Sequence, residues 1–127
     1  MTETSTHGIC VVGTGDIGNT YLNAWSAAED ARVVSVADIQ EDRARAAAEA
    51  HGAESRHTDY RDAIAADGVD VVCVCTPTML HPEVTIAAAE LGRHVLCVKP
   101  IALRLEDADA MIEAADSAGV QFCVGFM

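Results

Sequence analysis

A glycine-rich turn between two regular elements constrains the fold of this chain more than any other feature. Residues 8–13 are apolar and rich in β-branched side chains, which predicts a strand, and the residues after the turn have the pattern of a helix. Gly13, Gly15 and Gly18 form the pattern G-x-G-x-x-G at this turn, and Asp38 ends the next apolar run about twenty residues further on. This order of strand, glycines, helix and acid predicts a dinucleotide site.

Each glycine of the motif has a predicted role. Gly13 permits the tight turn out of the strand, Gly15 lets the backbone approach a pyrophosphate, and Gly18 lets the helix pack close to the sheet. The first turn of the helix, with Asp16 and Ile17, offers free N–H groups and the positive end of the helix dipole to the phosphates. Asp16 also has a purely structural interpretation, since an acid in the first turn favours the helix.

Asp38 predicts which dinucleotide binds. A carboxylate at the end of the second strand can accept hydrogen bonds from both ribose hydroxyls and repels a 2′-phosphate, so NAD is favoured over NADP. Ile39, the next residue, belongs to the same predicted cofactor-binding set. Two alternatives stay open, because Arg43 could pair with a 2′-phosphate and Asp38 could be a solvated acid that caps the following helix.

Strand-like and helix-like runs alternate along the whole chain. The predicted strands are 8–13, 33–38, 54–57, 69–75, 94–98 and 121–124, and the predicted helices are 16–28, 41–51, 60–66, 82–91 and 105–118. Strict alternation predicts an α/β fold, a three-layer, doubly wound parallel Rossmann sheet of strand order 3-2-1-4-5-6, with a ligand crevice at the carboxyl ends of the strands. We expect a flexible N-terminus over residues 1–7 and one dinucleotide-binding domain over residues 8–127.

Charge and composition argue against several classes of function. The net charge of −12 predicts no binding to nucleic acid or to an anionic membrane. No apolar run is long enough to span a membrane, and the polar start does not resemble a signal peptide, so we expect a cytoplasmic protein. The histidines lack metal-ligand spacing, which predicts no metal site. Reduced core thiols are predicted for the five cysteines, Cys10, Cys73, Cys75, Cys97 and Cys123.

Two loops at the predicted crevice carry candidate reactive side chains. Thr76 and Pro77 follow the fourth strand and lead to His81, and Lys99 follows the fifth strand with Pro100. His81 could titrate near a nicotinamide, or it could fix the loop. Lys99, the single lysine of the chain, could exchange a proton with a substrate oxygen, or it could be an ordinary surface residue.

The same loops resemble those of the Gfo/Idh/MocA oxidoreductase family. Residues 72–81 contain T-P-x-x-x-H and residues 87–100 contain G-x-H-V-L-x-x-K-P, which are much more specific patterns than G-x-G-x-x-G. Residues 124–127 resemble the last Rossmann strand of the family, and the resemblance covers residues 8–127. It implies an NAD-dependent dehydrogenase that transfers hydride to or from a secondary alcohol or carbonyl of a sugar-like or polyol substrate.

The resemblance also implies roles for particular residues. Thr76, Pro77 and His81 would lie on the nicotinamide side, and Lys99 would contact the cofactor and act as the acid/base group. The family pattern before the lysine is E-K-P, and Val98 stands in place of the glutamate, so the orienting role of that carboxylate is lost. Arg104 likewise stands where the family often has a Ser or Thr helix cap.

A second function class follows from what residues 1–127 do not contain. The family has a second, larger α/β domain that supplies most of the substrate pocket, and we expect this chain to be inactive as an isolated polypeptide. The alternative function is a non-catalytic nucleotide-binding module or a truncated product that needs a partner chain. Exposed apolar surface around Val120, Phe122 and Phe126 would then favour a homo-oligomer or a complex with another chain.

Overall fold

Within residues 6–125, which the computed structural model describes, six parallel strands form one sheet with five helices packed against it. The strands are β1 His7–Val12, β2 Ala31–Ala37, β3 Ser55–His57, β4 Val71–Val74, β5 His94–Val98 and β6 Phe122–Gly125. The helices are α1 Asp16–Ala27, α2 Glu41–His51, α3 Tyr60–Ile64, α4 His81–Glu90 and α5 Leu105–Ala118, and Thr78–Leu80 forms a 3₁₀ turn. None of these helices is long and apolar enough to cross a membrane.

The order of the strands confirms the predicted Rossmann topology. The strand order is β3-β2-β1-β4-β5-β6. The strands β2 and β3 therefore lie on one side of β1, and the strands β4, β5 and β6 lie on its other side. Val12 and Val74, the last residues of β1 and β4, are partners across the sheet. The loops that follow these two strands therefore leave the sheet side by side and diverge, which opens the crevice typical of this topology.

Two apolar clusters lie on opposite faces of the sheet because successive side chains of a strand alternate in direction. Ile9 and Val11 belong to the cluster beneath α1 and α2, whereas Cys10 and Val12 belong to the cluster beneath α3, α4 and α5. In β4, residues 72–74 are fully buried on both faces. This confirms the interpretation of the continuous apolar run there as a central parallel strand.

Most predicted boundaries move by one or two residues, and two of these shifts have a clear local reason. The first strand ends at Val12, because Gly13 has a φ of +95° and leaves the extended conformation. The fourth helix begins at His81 rather than Pro82, because the 3₁₀ turn leads directly into it. Pro82 is then the second helical residue. Because N–H groups in the first turn of a helix make no intrahelical hydrogen bond, the lack of an N–H on proline costs nothing there.

The cysteines follow the prediction with one exception. Burial disfavours the thiolate and raises the pKa of Cys10 to about 12 and that of Cys97 to about 12, as expected for inert core thiols. Cys75 is half-buried. The prediction is wrong for Cys123, which is exposed on the edge strand β6. Phe122 packs on the core from that strand, and the alternation of side chains points the next residue away from it.

The prediction of exposed apolar surface near the end of the chain is also wrong for Val120 and Phe122. Val120 and Phe122 are both half-buried, and Phe122 packs against the core cluster beneath α5. Phe126 lies outside the described residues. These two side chains therefore do not form an exposed apolar patch.

Candidate functional site

A cavity of about 760 Å³ opens at the carboxyl ends of β1, β2 and β4. Its walls come from the glycine-rich loop, the segment after β2, the segment at the start of α3 and the segment after β4. The predicted cofactor-binding residues that line it are Gly13, Gly15, Asp16, Ile17, Asp38, Ile39, Thr76 and Pro77. Gly18, His81 and Lys99 do not line it.

Gly13 and Gly18 are required by packing inside the protein. A Cβ on Gly13 would lie 2.6 Å from the carbonyl oxygen of Cys75, and a Cβ on Gly18 would overlap the carbonyl oxygen of Gly13. The two glycines thus let the start of α1 approach the ends of β1 and β4. This is the packing role predicted for Gly18, which supports the cavity from behind without lining it.

Gly15 differs from the other two glycines because the fold does not require it. Its φ of −79° suits any residue, and a Cβ there would have one neighbour within 4 Å, a guanidinium nitrogen of Arg43 at 3.7 Å. That separation is an ordinary van der Waals contact. A Cβ would therefore occupy open space at the wall of the cavity, where a Rossmann fold brings a pyrophosphate against the backbone.

The start of α1 is suited to bind an anion. No side chain caps this helix at Gly15 within the described part of the chain, so the first amide groups lack partners. The side-chain amide of Asn19 donates to the carbonyl oxygens of Thr14 and Gly15 at 2.9 and 3.0 Å, which fixes the loop in place. Asp16 is exposed, as expected for an acid whose carboxylate points outward.

The carboxylate of Asp38 is fixed at the rim of the cavity by three donors. Its Oδ2 accepts hydrogen bonds from the backbone N–H and the hydroxyl of Thr14, at 2.9 and 3.0 Å. Its Oδ1 accepts from the backbone N–H of Gln40 at 2.8 Å. An ionised carboxylate offers about four acceptor directions, so roughly one stays free, on Oδ1. The sequence predicts that Asp38 accepts hydrogen bonds from both ribose hydroxyls of a nucleotide. Thr14 occupies Oδ2 and therefore competes with one of these two hydroxyls.

Arg43 brings a positive charge to the same rim. It lies on α2, is exposed and lines the cavity. No carboxylate among residues 6–125 lies within 4.0 Å of its guanidinium. The rim after β2 therefore carries the Asp38 carboxylate and the unpaired Arg43 guanidinium, at the place where the sequence leaves the choice between NAD and NADP open.

The far wall of the cavity consists of residues 58–61, which no sequence motif had indicated. The guanidinium of Arg61 is held by Asp59, with Nε and Nη2 each 3.1 Å from a carboxylate oxygen, and these hydrogen bonds lower the pKa of Asp59. The Tyr60 hydroxyl donates to Glu83 at 2.8 Å, and burial together with this bond raises the pKa of Tyr60 to about 12. Residues 58–61 directly follow the predicted third strand, and this position at the carboxyl edge of the sheet could have identified them as cavity residues.

The structure contradicts the prediction that His81 lines the nicotinamide side. Its side chain is fully buried. Its Nδ1 lies 2.8 Å from the carbonyl oxygen of Pro100, and its Nε2 lies 3.0 Å from the carbonyl oxygen of Thr76. The ring thus joins the loop after β4 to the loop after β5, which is the loop-fixing alternative.

Lys99 lies at the carboxyl end of β5, beside the loop that contains Thr76, but outside the cavity. Its side chain is exposed, and its ammonium group has no hydrogen bond or ion pair with residues 6–125. Its backbone N–H donates to the carbonyl oxygen of Gly125 at 3.2 Å. Val98, before it, offers no carboxylate to orient the lysine.

Comparison with known proteins gives a family match over nearly the whole chain. Residues 7–126 match the GFO_IDH_MocA model, described as an oxidoreductase family with an NAD-binding Rossmann fold. The chain is 38% identical over 118 residues to myo-inositol 2-dehydrogenase of Thermotoga maritima, a match that covers 93% of this chain and 35% of that protein. The chain therefore spans about a third of the length of this relative.

Solved structures show the same relation. The crystal structure of a probable dehydrogenase from Thermotoga maritima matches with a TM-score of 0.90 and 37% identity, covering 93% of this chain and 35% of that one. The WlbA dehydrogenase from Bordetella pertussis, solved with NADH and UDP-GlcNAcA, matches with a TM-score of 0.89 and 33% identity, covering 94% of this chain and 37% of that one.

Proposed function

Because this chain belongs to the Gfo/Idh/MocA oxidoreductase family, with its NAD-binding Rossmann fold, we propose that its cavity binds NAD(H) in preference to NADP(H). The observation that carries this preference is the Asp38 carboxylate, which is fixed at the rim by Thr14 and Gln40. A negative charge held there disfavours a 2′-phosphate, and its free acceptor direction suits a ribose hydroxyl.

The glycine-rich loop and the start of α1 support the rest of the proposed site. Gly15 leaves room for a pyrophosphate, and the uncapped amide groups of α1 donate to it. Ile17 and Ile39 expose 47% and 87% of their surface at this cavity, so both have apolar surface to give to a bound nucleotide. In the proposed orientation of the nucleotide, Thr76 and Pro77 line the end of the cavity that faces β4 and β5.

The preference for NAD(H) is measurable by calorimetric titration of the two reduced nucleotides. We expect NADH to bind more tightly than NADPH by about 1–3 kcal/mol, because NADPH meets charge repulsion at Asp38 and loses a hydrogen bond there. Asp38→Ala should narrow this difference. Equal affinities in the wild-type chain, or tighter binding of NADPH, would refute the assignment.

Two control variants separate charge from loop anchoring, because Asp38→Ala also removes the partner of Thr14. Thr14→Val deletes the hydroxyl donor and leaves the carboxylate, so the preference for NADH should persist. Arg43→Ala removes the unpaired cation at the rim and should widen the preference. If Thr14→Val narrows the preference as much as Asp38→Ala does, loop anchoring rather than charge determines it.

We further propose that this cofactor site serves hydride transfer to or from a secondary alcohol or carbonyl of a sugar-like or polyol substrate. The relatives named myo-inositol 2-dehydrogenase and WlbA dehydrogenase support this substrate class. Lys99 is the proposed acid/base group, since it ends a strand at the crevice edge of the sheet and matches the family lysine. Association with a second copy or a partner chain stays a prediction.

We expect residues 1–127 alone to bind NADH but to give no measurable turnover. Lys99 is exposed and has no partner that orients it among residues 6–125, so the proximity and orientation that contribute about 7–11 kcal/mol at best are missing. The measurement is NADH absorbance in a screen of polyols and sugar derivatives with NAD. NADH titration of the same sample shows that the protein is intact, and sustained turnover would contradict the prediction.

The alternative function is a non-catalytic nucleotide-binding module, and one observation favours it. Val98 replaces the family glutamate beside Lys99, so the chain lacks the carboxylate that would hold the lysine toward a substrate. The test compares the wild-type chain with Val98→Glu, each mixed with a candidate partner chain and assayed for turnover. Turnover that appears with Val98→Glu and not with the wild-type chain would favour the binding module, and turnover with the wild-type chain would refute it.

A further inference from the structure

His81 is a buried, titratable side chain that the proposed function leaves without a role. It is the first residue of α4 and is fully buried. Its Nδ1 faces the carbonyl oxygen of Pro100 at 2.8 Å and that of Ile101 at 3.3 Å, and its Nε2 faces the carbonyl oxygen of Thr76 at 3.0 Å. Both ring nitrogens therefore face groups that only accept hydrogen bonds.

A neutral imidazole cannot satisfy this arrangement, because it carries one N–H donor and one lone pair. In either neutral tautomer, one lone pair would point at a carbonyl oxygen about 3 Å away in a buried site. Water does not reach this ring to relieve the contact, since the residue is fully buried. Two donors on one ring are available only in the imidazolium form.

We propose that His81 is an imidazolium whose two N–H groups clamp the loop after β4 to the loop after β5, which makes it a positioning residue for the nucleotide site. The positioning part of this inference rests on the proposed function. One clamped carbonyl belongs to Thr76, which lines the cavity, and another belongs to Pro100, which follows the proposed acid/base group Lys99.

Burial, the helix dipole and hydrogen bonds all act on the charge of the His81 ring, and the hydrogen bonds to carbonyl oxygens favour the charged form. Burial and the positive start of α4 both oppose an imidazolium. Charge-assisted hydrogen bonds are roughly twice as strong as neutral ones, and three carbonyl oxygens surround the ring. The net charge of −12 also favours a cation anywhere in the molecule.

No carboxylate takes part in the clamp. The titratable and charged side chains on the elements around the ring are Tyr60, Arg61 and Asp62 on α3, Glu83 and Glu90 on α4, Cys73 on β4, Cys75 after β4, His94 and Cys97 on β5, Lys99 and Arg104 in the loop after β5, and Glu106, Asp107, Asp109, Glu113 and Asp116 on α5. Glu83 accepts from Tyr60, and Glu106 pairs with Arg104. Within residues 6–125, none of these side chains hydrogen-bonds to the imidazole, so backbone carbonyls alone hold it.

Loss of one proton from His81 should therefore release one of the two loops. As pH rises, the ring keeps one donor and can hold either the Thr76 side or the Pro100 side. Because Thr76 lines the nucleotide cavity, we expect affinity for NADH to fall with the same proton. A purely structural histidine with one donor would give no such pH dependence.

Nitrogen NMR of the histidine rings in the nucleotide-free chain tests the clamp directly. At about pH 7, we expect both ring nitrogens of His81 to carry protons, identified as the signals lost in His81→Asn. His94 is the internal control, because its Nδ1 accepts the backbone N–H of Gln121 at 3.0 Å and must lack a proton. A single protonated nitrogen on His81 would overturn the proposal.

Titration with NADH across pH tests the positioning role. We expect wild-type affinity to fall roughly tenfold over the pH range in which the NMR signals of His81 show the loss of one ring proton, and the affinity of His81→Asn to be lower and independent of pH. His94→Asn should keep the wild-type profile. A wild-type profile that does not change with pH would refute the positioning role.

The two experiments fail separately. If the wild-type chain does not bind NADH at any pH, the proposed function is refuted, while the NMR spectrum still decides the protonation of His81. If His81→Asn does not fold, the NMR signals of His81 are assigned by selective labelling of the wild-type chain. The pH dependence of NADH affinity in the wild-type chain then tests the positioning role.

Discussion

Gly15→Ala should weaken the binding of NADH by at least roughly tenfold while leaving the fold intact. A Cβ at this position meets the Arg43 guanidinium at an ordinary contact distance of 3.7 Å, and the backbone conformation suits alanine. The free energy of unfolding should therefore change by less than about 0.5 kcal/mol. The methyl group occupies space at the cavity wall that the proposed pyrophosphate needs.

Calorimetry with NADH and urea denaturation of the nucleotide-free protein measure the two parts of this result. Wild-type affinity in Gly15→Ala would show that the pyrophosphate does not lie against this loop. A large loss of stability would show instead that the fold itself requires the glycine. Neither outcome is compatible with the role that the geometry gives to Gly15.

Gly18→Ala should have the opposite pattern, with a loss of roughly 2–4 kcal/mol in the free energy of unfolding. A Cβ on Gly18 overlaps the backbone carbonyl of Gly13, and that carbonyl cannot move without shifting the ends of β1 and β4. A flexible side chain could move aside at little energetic cost, but backbone in the centre of a sheet cannot.

The measurement is again urea denaturation, with Gly15→Ala as the matched control. Both variants add one methyl group near the start of α1, but Gly15 precedes the helix and Gly18 lies within it. Only Gly18→Ala therefore gains helix propensity, by about 1 kcal/mol, and this gain opposes the expected loss of stability. A stability of Gly18→Ala within about 0.5 kcal/mol of the wild-type chain would show that α1 can withdraw from the sheet without loss.

The sequence predicted the fold because its strongest signals are local and periodic. The glycine motif, the apolar run of β4 and the alternation of strands with helices each follow from neighbouring residues, and together they determine the strand order. Cys123 could not be placed in the same way. Its exposure depends on which face of the edge strand β6 is covered, and that is a property of the assembled sheet.

The candidate site was predicted where it depends on single loops and missed where it depends on contacts between loops. Gly15 and Asp38 lie where their motif puts them. His81 contacts the carbonyl oxygen of Pro100, which lies in a different loop, so its buried position had no signal in its own loop. Thr14 occupies a variable position of the glycine motif, so its two hydrogen bonds to Asp38 had no signal in the pattern.

The bonds between Thr14 and Asp38 have a consequence for how cofactor preference can evolve. The carboxylate that we propose disfavours a 2′-phosphate is the same group that anchors the glycine-rich loop. A mutation of Asp38 toward NADP acceptance would therefore also loosen the loop for either nucleotide. An evolutionary path to the other cofactor would first need a second anchor for Thr14, so the two positions are expected to change together rather than one at a time.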